Sequence, residues 1–554
     1  MKTLLIALNA KYSHTSLSVR SICSYVKSKG DFDIYYKELT INDEYFYILK
    51  SIVKESPDLI GFSTYIWNIE LIKKLIPDVK NLLPDSVIFL GGPEASYNEN
   101  IFSEIKDIDF VIKGEGELPL YNYLCGKTHA QGIWYKGEKS DFAPNLDLED
   151  IPFVYSREEL YSNSNKAIYY ETSRGCPFKC AFCISSLTKG VRTLPLDRVF
   201  NEIDIFIESG VKRVKLVDRT FNFDKERTKK ILRYITEKSE KTCFHFEIGA
   251  DLLDDELTDI INNAKRDVIQ FEAGIQSTNG ETLLLCDRAT DMERLKKNLK
   301  ALCNSKIRIH LDLIAGLPKE DFSTFKKSFN EVYALNPDVL QVGFLKLLHG
   351  SKLRKEKEKY GYKFKSTAPY EVLSNDFISF PELMELKKVE KAVDCYLNSE
   401  IFKTSLSYIY NKGVNPFDFY YSLGCNMGDL NLSLKDKFKI LLNTAEEYFE
   451  NSEELKEYLK YDYFIKQRGA IPEFLNNYKT KSFLNKCSQF INDEENIKEI
   501  FPYYTGKNKA EIRKNLDFEL FICNRKEKIL CFDRINDFLI DLSEKIGYYS
   551  SEGN

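Results

Sequence analysis

The segment SRGCPFKCAFCISS contains three cysteines within eight residues, Cys176, Cys180 and Cys183. Thiolates at the spacing C-x3-C-x2-C can converge on one soft metal centre, because the two short loops can turn each sulfur inward. A structural zinc site needs four protein ligands. The nearest other Cys and His residues, about fifty or more positions away, are Cys125, His129, Cys243 and His245. The spacing favours a [4Fe-4S] cluster with one open iron, and zinc with a distant fourth ligand stays the alternative.

The pattern C-x3-C-x-aromatic-C, with Phe182 before the last cysteine, resembles the cluster loop of the radical S-adenosylmethionine (SAM) superfamily. This resemblance implies that the amino and carboxylate groups of SAM chelate the open iron. It also implies that one electron from the reduced cluster splits SAM into methionine and a 5'-deoxyadenosyl radical. We therefore expect an enzyme whose cofactors include a [4Fe-4S] cluster and SAM.

Polar residues follow the predicted strands after the cysteine loop, where SAM needs donors for its carboxylate and acceptors for its amine and ribose hydroxyls. The candidate SAM-binding residues are Asp218, Thr220, Glu247, Glu272, Gln276, Ser277, Arg288 and Asp312. The segments FEIGADLL, GIQSTNGETLLLCDR and LDLIAGLP resemble the radical SAM branch that includes oxygen-independent coproporphyrinogen dehydrogenase. The SAM contacts that this resemblance implies are Glu247, Gln276, Arg288 and Asp312.

Arg288 would pair with the methionyl carboxylate in a bidentate contact. The segment VDRTFNFD stands where that branch has glycine-glycine-glutamate, so Asp218 or Thr220 is expected to bind the SAM amine instead. Taken singly, such acidic residues cap helices or pair with surface lysines. Their positions at successive strand ends favour a shared binding site.

The N-terminal region carries polar or glycine-rich segments after its predicted strands: LNAKYSHTS, FSTYIWN, GGPEAS and KGEGE. Glycines let the backbone approach a large flat ligand, and a helix start offers free N–H groups to a phosphate. Ahead of a radical SAM cluster loop, this arrangement resembles the cobalamin-binding domain of B12-dependent radical SAM enzymes. The implied cobalamin-binding residues are His14, Ser63, Tyr65, Trp67, Asn68, Gly91, Gly92, Pro93, Glu94, Gly114, Glu115 and Gly116.

The B12 motif Asp-x-His-x-x-Gly, which supplies an imidazole to cobalt, is absent from the sequence, and His14 stands alone in KYSHTS. The resemblance then implies base-off cobalamin without a histidine ligand. Its lower face would be covered by Tyr65, Trp67 or Asn68. Trp67 as a core residue and His14 as an ordinary polar residue are the alternatives.

Alternating apolar and helical stretches predict the elements that must position these residues. Residues 1–140 read as a doubly wound, Rossmann-like parallel sheet and residues 141–165 as a linker. Residues 166–365 contain six strand candidates, five of them followed by helical stretches. They predict a partial (β/α)6 barrel with its site at the C-terminal strand ends. Residues 366–554 carry amphipathic helices and a hairpin, FELFICNRKEKILCFD, so the chain is α/β with a mainly helical C-terminal domain of unknown role.

Composition narrows the setting of this chemistry. No apolar run reaches the length of a membrane span, and the N-terminus turns polar too soon for a signal peptide, so we expect a cytoplasmic protein without membrane contact. Thirteen mostly isolated cysteines suit a reducing compartment. The net charge of -5 favours no general binding of nucleic acid. We also expect a monomer that receives electrons from a donor such as flavodoxin or ferredoxin.

Together, the resemblances predict a cobalamin-dependent radical SAM methyltransferase. It would use the 5'-deoxyadenosyl radical and methylcobalamin to methylate an unactivated carbon. The alternatives are a B12-dependent cyclase or rearrangement enzyme without methyl transfer, and a non-enzymatic cobalamin sensor or electron-transfer protein. The substrate, whether a small molecule, a peptide or a modified nucleoside, is not readable from the sequence.

Overall fold

The computed structural model describes residues 1–188, 190–288, 290–303, 305–428, 432–523 and 526–546. The chain forms two compact units, Met1–Met384 and Glu385–Asn554. The first unit contains two six-stranded sheets, and the second contains helices and a three-stranded antiparallel sheet. Within the described residues, no helix combines the length and the apolar character that crossing a membrane requires.

The first sheet has six strands with helices between them. The strands are β1 (Thr3–Asn9), β2 (Ile34–Thr40), β3 (Leu59–Ser63), β4 (Val87–Gly91), β5 (Phe110–Ile112) and β6 (Ile133–Trp134). The helices are α1 (Leu17–Ser28), α2 (Tyr45–Val53), α3 (Ile69–Leu82), α4 (Pro93–Tyr97), α5 (Ile101–Glu104) and α6 (Glu117–Leu124). The order is β2-β1-β3-β4-β5-β6, parallel except for the pair β5 and β6. This confirms the predicted doubly wound sheet and adds one antiparallel edge strand.

The central strands of this sheet are apolar on both faces, because helices cover both sides of a doubly wound sheet. Residues 4–8 of β1 are all buried. Ile72, Leu75 and Ile76 on one face of α3 are fully buried in the same apolar cluster as Leu4 and Ile6 of β1. Polar groups are therefore left to the loops at the carboxyl ends of the strands.

The second sheet is an open parallel barrel. The next strands in the chain are β7 (Ala167–Tyr170), β8 (Ser173–Gly175), β9 (Val191–Thr193), β10 (Arg213–Leu216), β11 (Cys243–Ile248), β12 (Ile269–Gln276), β13 (Arg308–Ala315) and β14 (Val339–Phe344). The helices are α7 (Arg157–Ser162), α8 (Leu196–Glu208), α9 (Lys225–Lys238), α10 (Asp255–Asn262), α11 (Gly280–Leu285), α12 (Met292–Cys303), α13 (Phe322–Tyr333) and α14 (Lys352–Lys355). The parallel order is β14-β13-β12-β11-β10-β7, and β8 and β9 form an antiparallel hairpin. The six predicted strands are thus confirmed, with β7 and β14 as the two edges.

The barrel strands alternate in burial, unlike those of the first sheet. In β13 (RIHLDLIA) every second residue is buried, and the residues between them are half-buried. The buried set includes Ile309, Leu311 and Leu313, while His310 and Asp312 share the opposite face. One face of this sheet therefore packs against helices, and the other lines a polar lumen.

The segment predicted as a linker, residues 141–165, is folded. It contains the 3-10 turn Leu148–Asp150 and helix α7, whose first turn is capped by Ser156. The hydroxyl of Tyr155 donates to the carbonyl of Tyr169 in β7 at 2.6 Å. Helix α7 is joined to α1 by an ion pair of Glu159 with Arg20. The segment thus contacts both sheets, and the exact domain boundaries stay a prediction.

The remaining elements begin with β15 (Lys363–Phe364), β16 (Val372–Ser374) and α15 (Phe380–Ala392). The later helices are α16 (Lys403–Asn411), α17 (Pro416–Met427), α18 (Leu434–Glu446), α19 (Glu453–Lys466), α20 (Lys481–Asn492), α21 (Glu494–Ile500), α22 (Lys509–Asn515) and α23 (Ser543–Ile546). The strands β17 (Leu516–Cys523), β18 (Lys526–Asp533) and β19 (Phe538–Asp541) pair antiparallel. The pair β17 and β18 confirms the predicted hairpin, whose residues 524–525 lie outside the described residues.

Candidate active site

The cysteine loop connects β8 to β9, directly after the first barrel strand. Gly175 at the end of β8 has a φ of +108°, and a Cβ there would collide with the carbonyl of Gly190. Within the loop, the Ala181 N–H donates to the carbonyl of Cys286 at 2.9 Å, and the Ala181 carbonyl accepts from the Leu353 N–H at 2.9 Å. Backbone contacts to two other segments therefore hold the loop in one conformation.

The three thiols of the loop lie close enough for their charges to interact. Burial raises the pKa of the Cys180 thiol, Arg288 opposes that effect, and the neighbouring Cys183 and Cys176 add to it. Arg288 Nη1 lies 3.7 Å from Cys180 Sγ, and Thr220 Oγ1 lies 3.6 Å from Cys176 Sγ. The loop thus brings three sulfurs together beside one guanidinium, which suits an anionic thiolate cluster.

The sulfur spacing distinguishes the two metal interpretations. Thiolates around one zinc ion stand about 3.8 Å apart, since tetrahedral Zn–S bonds are about 2.3 Å long. Among the described residues, the Sγ atoms of Cys176, Cys180 and Cys183 do not all lie within 4.8 Å of one another. The thiols as placed do not have the spacing of a single tetrahedral zinc site.

Two polar groups beside the cluster loop are buried without a hydrogen-bond partner among the described residues. They are Nε of Arg288 and Oε1 of Gln276. Gln276 has a φ of +71° at an irregularity where β12 shifts register against β13, and its amide folds over Gly274. A buried donor and a buried acceptor left open in this way fit a ligand that carries both a carboxylate and an ammonium group, as SAM does.

Asp218 and Thr220, the two candidates for the SAM amine, differ in position. The Asp218 carboxylate is fully buried and accepts from the Thr172 N–H at 2.8 Å, the Thr172 hydroxyl and the Ser173 hydroxyl at 2.7 Å. These bonds join the end of β10 to the start of β8. Asp218 therefore holds the strand that leads into the cysteine loop. Thr220 is the one of the two candidates that lies next to a cysteine, Cys176.

Ser277 is also placed as a support. Its hydroxyl is fully buried and donates to Oε1 of Glu320 at 2.6 Å, and the Ser328 hydroxyl donates to the same oxygen at 3.2 Å. Among the described residues, Glu320 accepts hydrogen bonds from hydroxyls and from no cation. Burial therefore raises its pKa to about 8. This arrangement holds the loop after β12, which carries Gln276.

The lumen of the barrel contains a charged network on four strands. Glu272 Oε2 lies 3.1 Å from Lys215 Nζ and 2.9 Å from His245 Nε2. His310 Nε2 lies 3.0 Å from Asp312 Oδ1, and its Nδ1 lies 3.9 Å from Glu272. Glu272, His310 and Asp312 have the spacing of metal ligands. The Lys215 ammonium already supplies a cation at this point.

Two carboxylates of this lumen have opposite pKa shifts. Burial alone raises the pKa of Glu272, but the hydrogen bond to His245 and the charge of Lys215 outweigh it and bring the pKa to about 2. Burial raises the pKa of Glu247 to about 7, and the charge of Arg219 opposes the rise only in part. The lumen therefore holds one carboxylate that favours the ionised form and one whose pKa lies near neutral pH.

The loop after β3 presents two stacked aromatic rings. Tyr65 and Trp67 lie parallel with ring centroids 4.3 Å apart, and Trp67 is 43% exposed. Asn68 is buried, its amide donates to the carbonyls of Leu8 at 3.1 Å and Ser63 at 2.9 Å, and its Oδ1 accepts from the Tyr65 N–H. Asn68 therefore holds the loop. The stacked pair is also anchored, because the Trp67 indole N–H donates to the Leu8 carbonyl at 3.1 Å and the Tyr65 hydroxyl donates to the Ser18 hydroxyl at 3.3 Å.

The loop after β4 contains Gly91, Gly92, Pro93 and Glu94. Gly92 has a φ of +99°, and a Cβ there would lie 2.6 Å from the carbonyl oxygen of Thr64, so only glycine fits. Glu94 is buried and accepts from the Tyr370 hydroxyl at 2.7 Å. The backbone of this loop lies at the carboxyl ends of the strands, which we call the ligand edge of the first sheet. The Glu94 side chain is held by Tyr370.

The loop after β5 joins the two sheets. Glu115 lies 3.0 Å from Arg174 and also pairs with Arg192, and both arginines belong to the hairpin that carries the cysteine loop. Arg174 further contacts Glu117 at 3.1 Å and Glu171 at 2.8 Å. The predicted cobalamin-binding residue Glu115 is thus engaged in ion pairs, which place the ligand edge of the first sheet against the cluster hairpin.

The glycines that flank Glu115 have different roles. Gly114 has a φ of +93° and its N–H donates to the Ser96 hydroxyl at 3.1 Å. A Cβ on Gly116 would lie 2.6 Å from a side-chain carbon of Ile22 in α1. Gly116 therefore permits close packing of α1 against the start of α6, and Gly114 permits the turn.

His14 lies at the open edge of the barrel. Its backbone forms a parallel bridge with Ala167 of β7, and its Nδ1 is 3.2 Å from the Tyr169 hydroxyl. Burial lowers the pKa of His14, and Lys11 and Lys215 lower it further. A neutral imidazole with one nitrogen bound to tyrosine is the state that this position favours.

Several members of the site were missed from the sequence: Lys215, His245, His310, Arg174 and Glu117. A signal was present for the first three, because RVKL, HFEI and IHLDL alternate ionisable and apolar residues at a period of two. The alternation placed His245 on the face of Glu247 and His310 on the face of Asp312. No comparable local signal marked the pair of partly buried Arg174 and buried Glu117.

Comparison with protein families gives three matches along the chain. The B12 binding domain matches residues 3–124, the radical SAM superfamily residues 170–332, and a family described as a protein of unknown function, DUF4080, residues 358–532. The first two matches confirm the predicted cofactor set of these domains, a [4Fe-4S] cluster, SAM and cobalamin. The third covers the region whose role was left open.

Similar curated proteins share part of this chain. An uncharacterized methyltransferase of Pyrococcus horikoshii, PH0819, is 29% identical over 38% of this chain and 50% of that protein. The cobalamin-dependent radical SAM methyltransferase TokK of Streptomyces tokunonensis is 23% identical over 55% of this chain and 49% of that protein. The anaerobic magnesium-protoporphyrin IX monomethyl ester cyclase of Rubrivivax gelatinosus is 21% identical over 58% and 62%. The chain spans about half the length of the curated relatives it matches.

Two solved structures share the fold. The cobalamin-dependent SAM radical enzyme OxsB with aqua-cobalamin aligns with a TM-score of 0.61 at 16% identity, over 83% of this chain and 79% of that one. The radical SAM methyltransferase TsrM of Kitasatospora setae aligns with a TM-score of 0.56 at 15% identity, over 66% and 79%. At these identities the likeness concerns the fold alone. By its domains and their order, the chain belongs to the radical SAM proteins that carry an N-terminal B12-binding domain, here followed by a DUF4080 domain.

Proposed function

We propose that the protein is a cobalamin-dependent radical SAM methyltransferase that methylates an unactivated carbon. The observation that carries the proposal is the junction of the two ligand edges in the first unit. Glu115 and Glu117, which follow β5 of the first sheet, form ion pairs with Arg174 of the cluster hairpin. Tyr65 lies within electrostatic range of Arg219, which follows β10. Two cofactors bound at these edges would share one cleft.

Cys176, Cys180 and Cys183 would hold the cluster, and the aromatic pair Tyr65 and Trp67 would face the cobalamin. When bound, the cluster with SAM supplies a radical that removes a hydrogen atom from the substrate, and cobalamin supplies the methyl group. Several relatives are named as methyltransferases, which supports transfer of a methyl group.

The chain's own groups would bind and orient SAM and the substrate. The open Nε of Arg288 would donate to the methionyl carboxylate, and Oε1 of Gln276 would accept from the ammonium group. In the lumen, Glu272 is already neutralised by Lys215, so its charge is not left to attract a cation from the substrate. Glu247, whose pKa is about 7, is one lumen group that can accept or hold a proton near neutral pH.

The test is reconstitution without oxygen, with iron, sulfide and hydroxocobalamin, followed by mass spectrometry of the products made from SAM under a strong reductant. We expect 5'-deoxyadenosine and S-adenosylhomocysteine from the wild type. Cys183→Ala should make no 5'-deoxyadenosine, and Cys125→Ala, an exposed cysteine outside the loop, should behave as wild type. Absence of both products from protein with a full cluster would refute the proposal.

A second candidate is a cyclisation or rearrangement without methyl transfer. It is favoured by the match to the Rubrivivax gelatinosus cyclase over 350 residues. Formation of 5'-deoxyadenosine without S-adenosylhomocysteine, in the presence of substrate, would support it. A cobalamin sensor or electron-transfer protein would form neither product.

The partners remain predictions. We propose a small-molecule, peptide or modified-nucleoside substrate, an electron donor such as flavodoxin or ferredoxin, a monomeric state and a cytoplasmic location. The absorbance of the cluster would show whether purified flavodoxin reduces it, which tests the electron donor. Light scattering of the reconstituted protein would test the oligomeric state.

A further inference from the structure

The second compact unit contains a cavity of about 510 Å³. It lies among the end of α19, the segment that follows it, α20, the end of α22 and the start of β17. The cavity opens to solvent, because its lining residues Arg468, Leu484 and Arg513 are exposed. Pockets for small organic ligands range from about 300 to 1,000 Å³, so its volume is in the range of a ligand site.

One wall of this cavity is apolar. Cys487, Ile491 and Leu516 line it and are buried. Phe518 lies at the junction of the two apolar clusters of the unit and packs against both. An aromatic ring beside buried aliphatic side chains offers a flat surface on which an apolar ligand body can lie.

The polar lining is cationic, although the chain as a whole has a net charge of -5. The charged lining residues are Arg468, Lys479, Arg513, Arg534 and one carboxylate, Asp517. Arg534 already uses its donors within the protein, because its Nε donates to Asp517 at 2.7 Å and its Nη1 to the carbonyl of Ile465 at 2.6 Å. Lys479 lies 2.8 Å from Glu519. Arg468 donates to the carbonyl of Lys514 and lies 4.0 Å from Asp517, a carboxylate that it shares with Arg534. The four cationic side chains therefore outnumber the nearby carboxylates of Asp517 and Glu519, and Arg513 has an ion pair with neither of them.

Arg513 is held in place and keeps donor capacity. Its Nη2 donates to the Ser488 hydroxyl at 2.7 Å, and both residues line the cavity. A guanidinium has five N–H donors in a planar fork, so one bond to serine orients it without exhausting it. Such a fork binds carboxylate, phosphate or sulfonate groups in a bidentate manner.

We propose that this cavity binds an organic anion with a flat apolar body. The anionic group would lie against Arg513 and Arg468, and the apolar body would lie on Phe518 and the buried wall. This inference does not depend on the proposed methyl transfer, because the cavity is formed within residues 464–534 alone.

The experiment is titration calorimetry on the full chain loaded with cluster and cobalamin, with 1-naphthalenesulfonate as the probe. We expect saturable binding of one probe per protein. The uncharged 1-naphthalenemethanol and inorganic phosphate should each bind at least tenfold more weakly, because each lacks one of the two recognised features. The SAM-cleavage assay on the same samples separates failure of this inference from failure of the proposed function.

The matched charge variants, at Arg513 and Lys509, lie on α22, and Ser488 lies on the neighbouring α20. Arg513→Gln should weaken probe binding at least tenfold, and Ser488→Ala should weaken it several-fold by releasing the guanidinium. Lys509→Gln removes the same charge from an exposed position of α22 and should leave binding unchanged. Absence of saturable binding, equal affinity for inorganic phosphate, or equal loss in Arg513→Gln and Lys509→Gln would each overturn the proposal.

Discussion

The two sheets of the first unit are both six-stranded and largely parallel, but their polar residues stand in different places. In the first sheet, β1 buries residues 4–8 without interruption, because helices cover both faces. In the barrel, β13 alternates buried and half-buried residues, because its inner face encloses the lumen. A flat covered sheet can therefore bind a ligand only at its strand ends, whereas a curved sheet adds an inner face that carries charge.

Two buried carboxyls, one from each region, have pKa values shifted in opposite directions. Glu117, at the ligand edge of the first sheet, is paired with Arg174, and although burial raises its pKa, that cation and the Ser21 hydroxyl hold the pKa below its usual range. Glu320, behind the barrel, accepts bonds from serine hydroxyls, and its pKa rises to about 8. The ion pair stabilises a charge at the junction, whereas burial behind the barrel favours the protonated form of Glu320.

The largest expected effect separates the two ligand edges. Cys180→Ala should lower 5'-deoxyadenosine formation by at least about 100-fold, because one of three cluster ligands is lost. Cobalamin binding at the first sheet should remain, since that edge is formed by other strands. Product analysis and an absorbance titration with hydroxocobalamin measure the two effects. Loss of both functions together would show that the edges are not separable.

Glu320→Gln should change the pH dependence of stability. The folded pKa of about 8 exceeds the ordinary value of 4.5, so between these values the folded protein keeps a proton that the unfolded chain has lost. Stability of the wild type therefore falls as the pH rises through this window, by up to about 5 kcal/mol. The variant should match the wild type near pH 5 and unfold at a higher temperature near pH 8.5. Parallel melting curves at both pH values would contradict the assignment.

Glu117→Gln should lower the stability of the protein at neutral pH, whereas Glu320→Gln should raise it at high pH. It removes the hydrogen bonds that the partly buried Arg174 and the Ser21 hydroxyl donate to the buried Glu117 carboxylate, and we expect a loss of about 3 kcal/mol in the free energy of unfolding. Arg157→Gln is the control, because its pair with Glu208 is exposed on both sides and should cost less than about 0.5 kcal/mol. Denaturant unfolding of both variants compares them, and equal losses would deny Arg174 its joining role.

Gly92→Ala should give the smallest of these effects. The substitution combines a left-handed backbone with a Cβ placed against the Thr64 backbone, and we expect a loss of about 2 kcal/mol. Gly126→Ala has the same sign of φ but no atom near its Cβ, so it should lose about 1 kcal/mol. Thermal unfolding of the apoprotein measures both. A hydroxocobalamin titration then shows whether the loop after β4 belongs to the ligand edge.

The sequence by itself determined the elements and the cluster loop of this protein. The strand and helix order of both sheets, the hairpin of β17 and β18 and the grouping of Cys176, Cys180 and Cys183 are local properties. Periodicity and spacing between nearby residues are enough to predict them. The three family matches agree with that order.

Only the tertiary structure decided which polar side chains are free to bind a ligand. Glu115 is engaged by Arg174 and Arg192, Asp218 by the start of β8, and Asn68 by the carbonyl of Leu8. Each partner belongs to a segment tens of residues away, so no local pattern could announce the contact. The lumen network and the cationic cavity have the same origin, because strand register and helix packing determine which distant charges become neighbours.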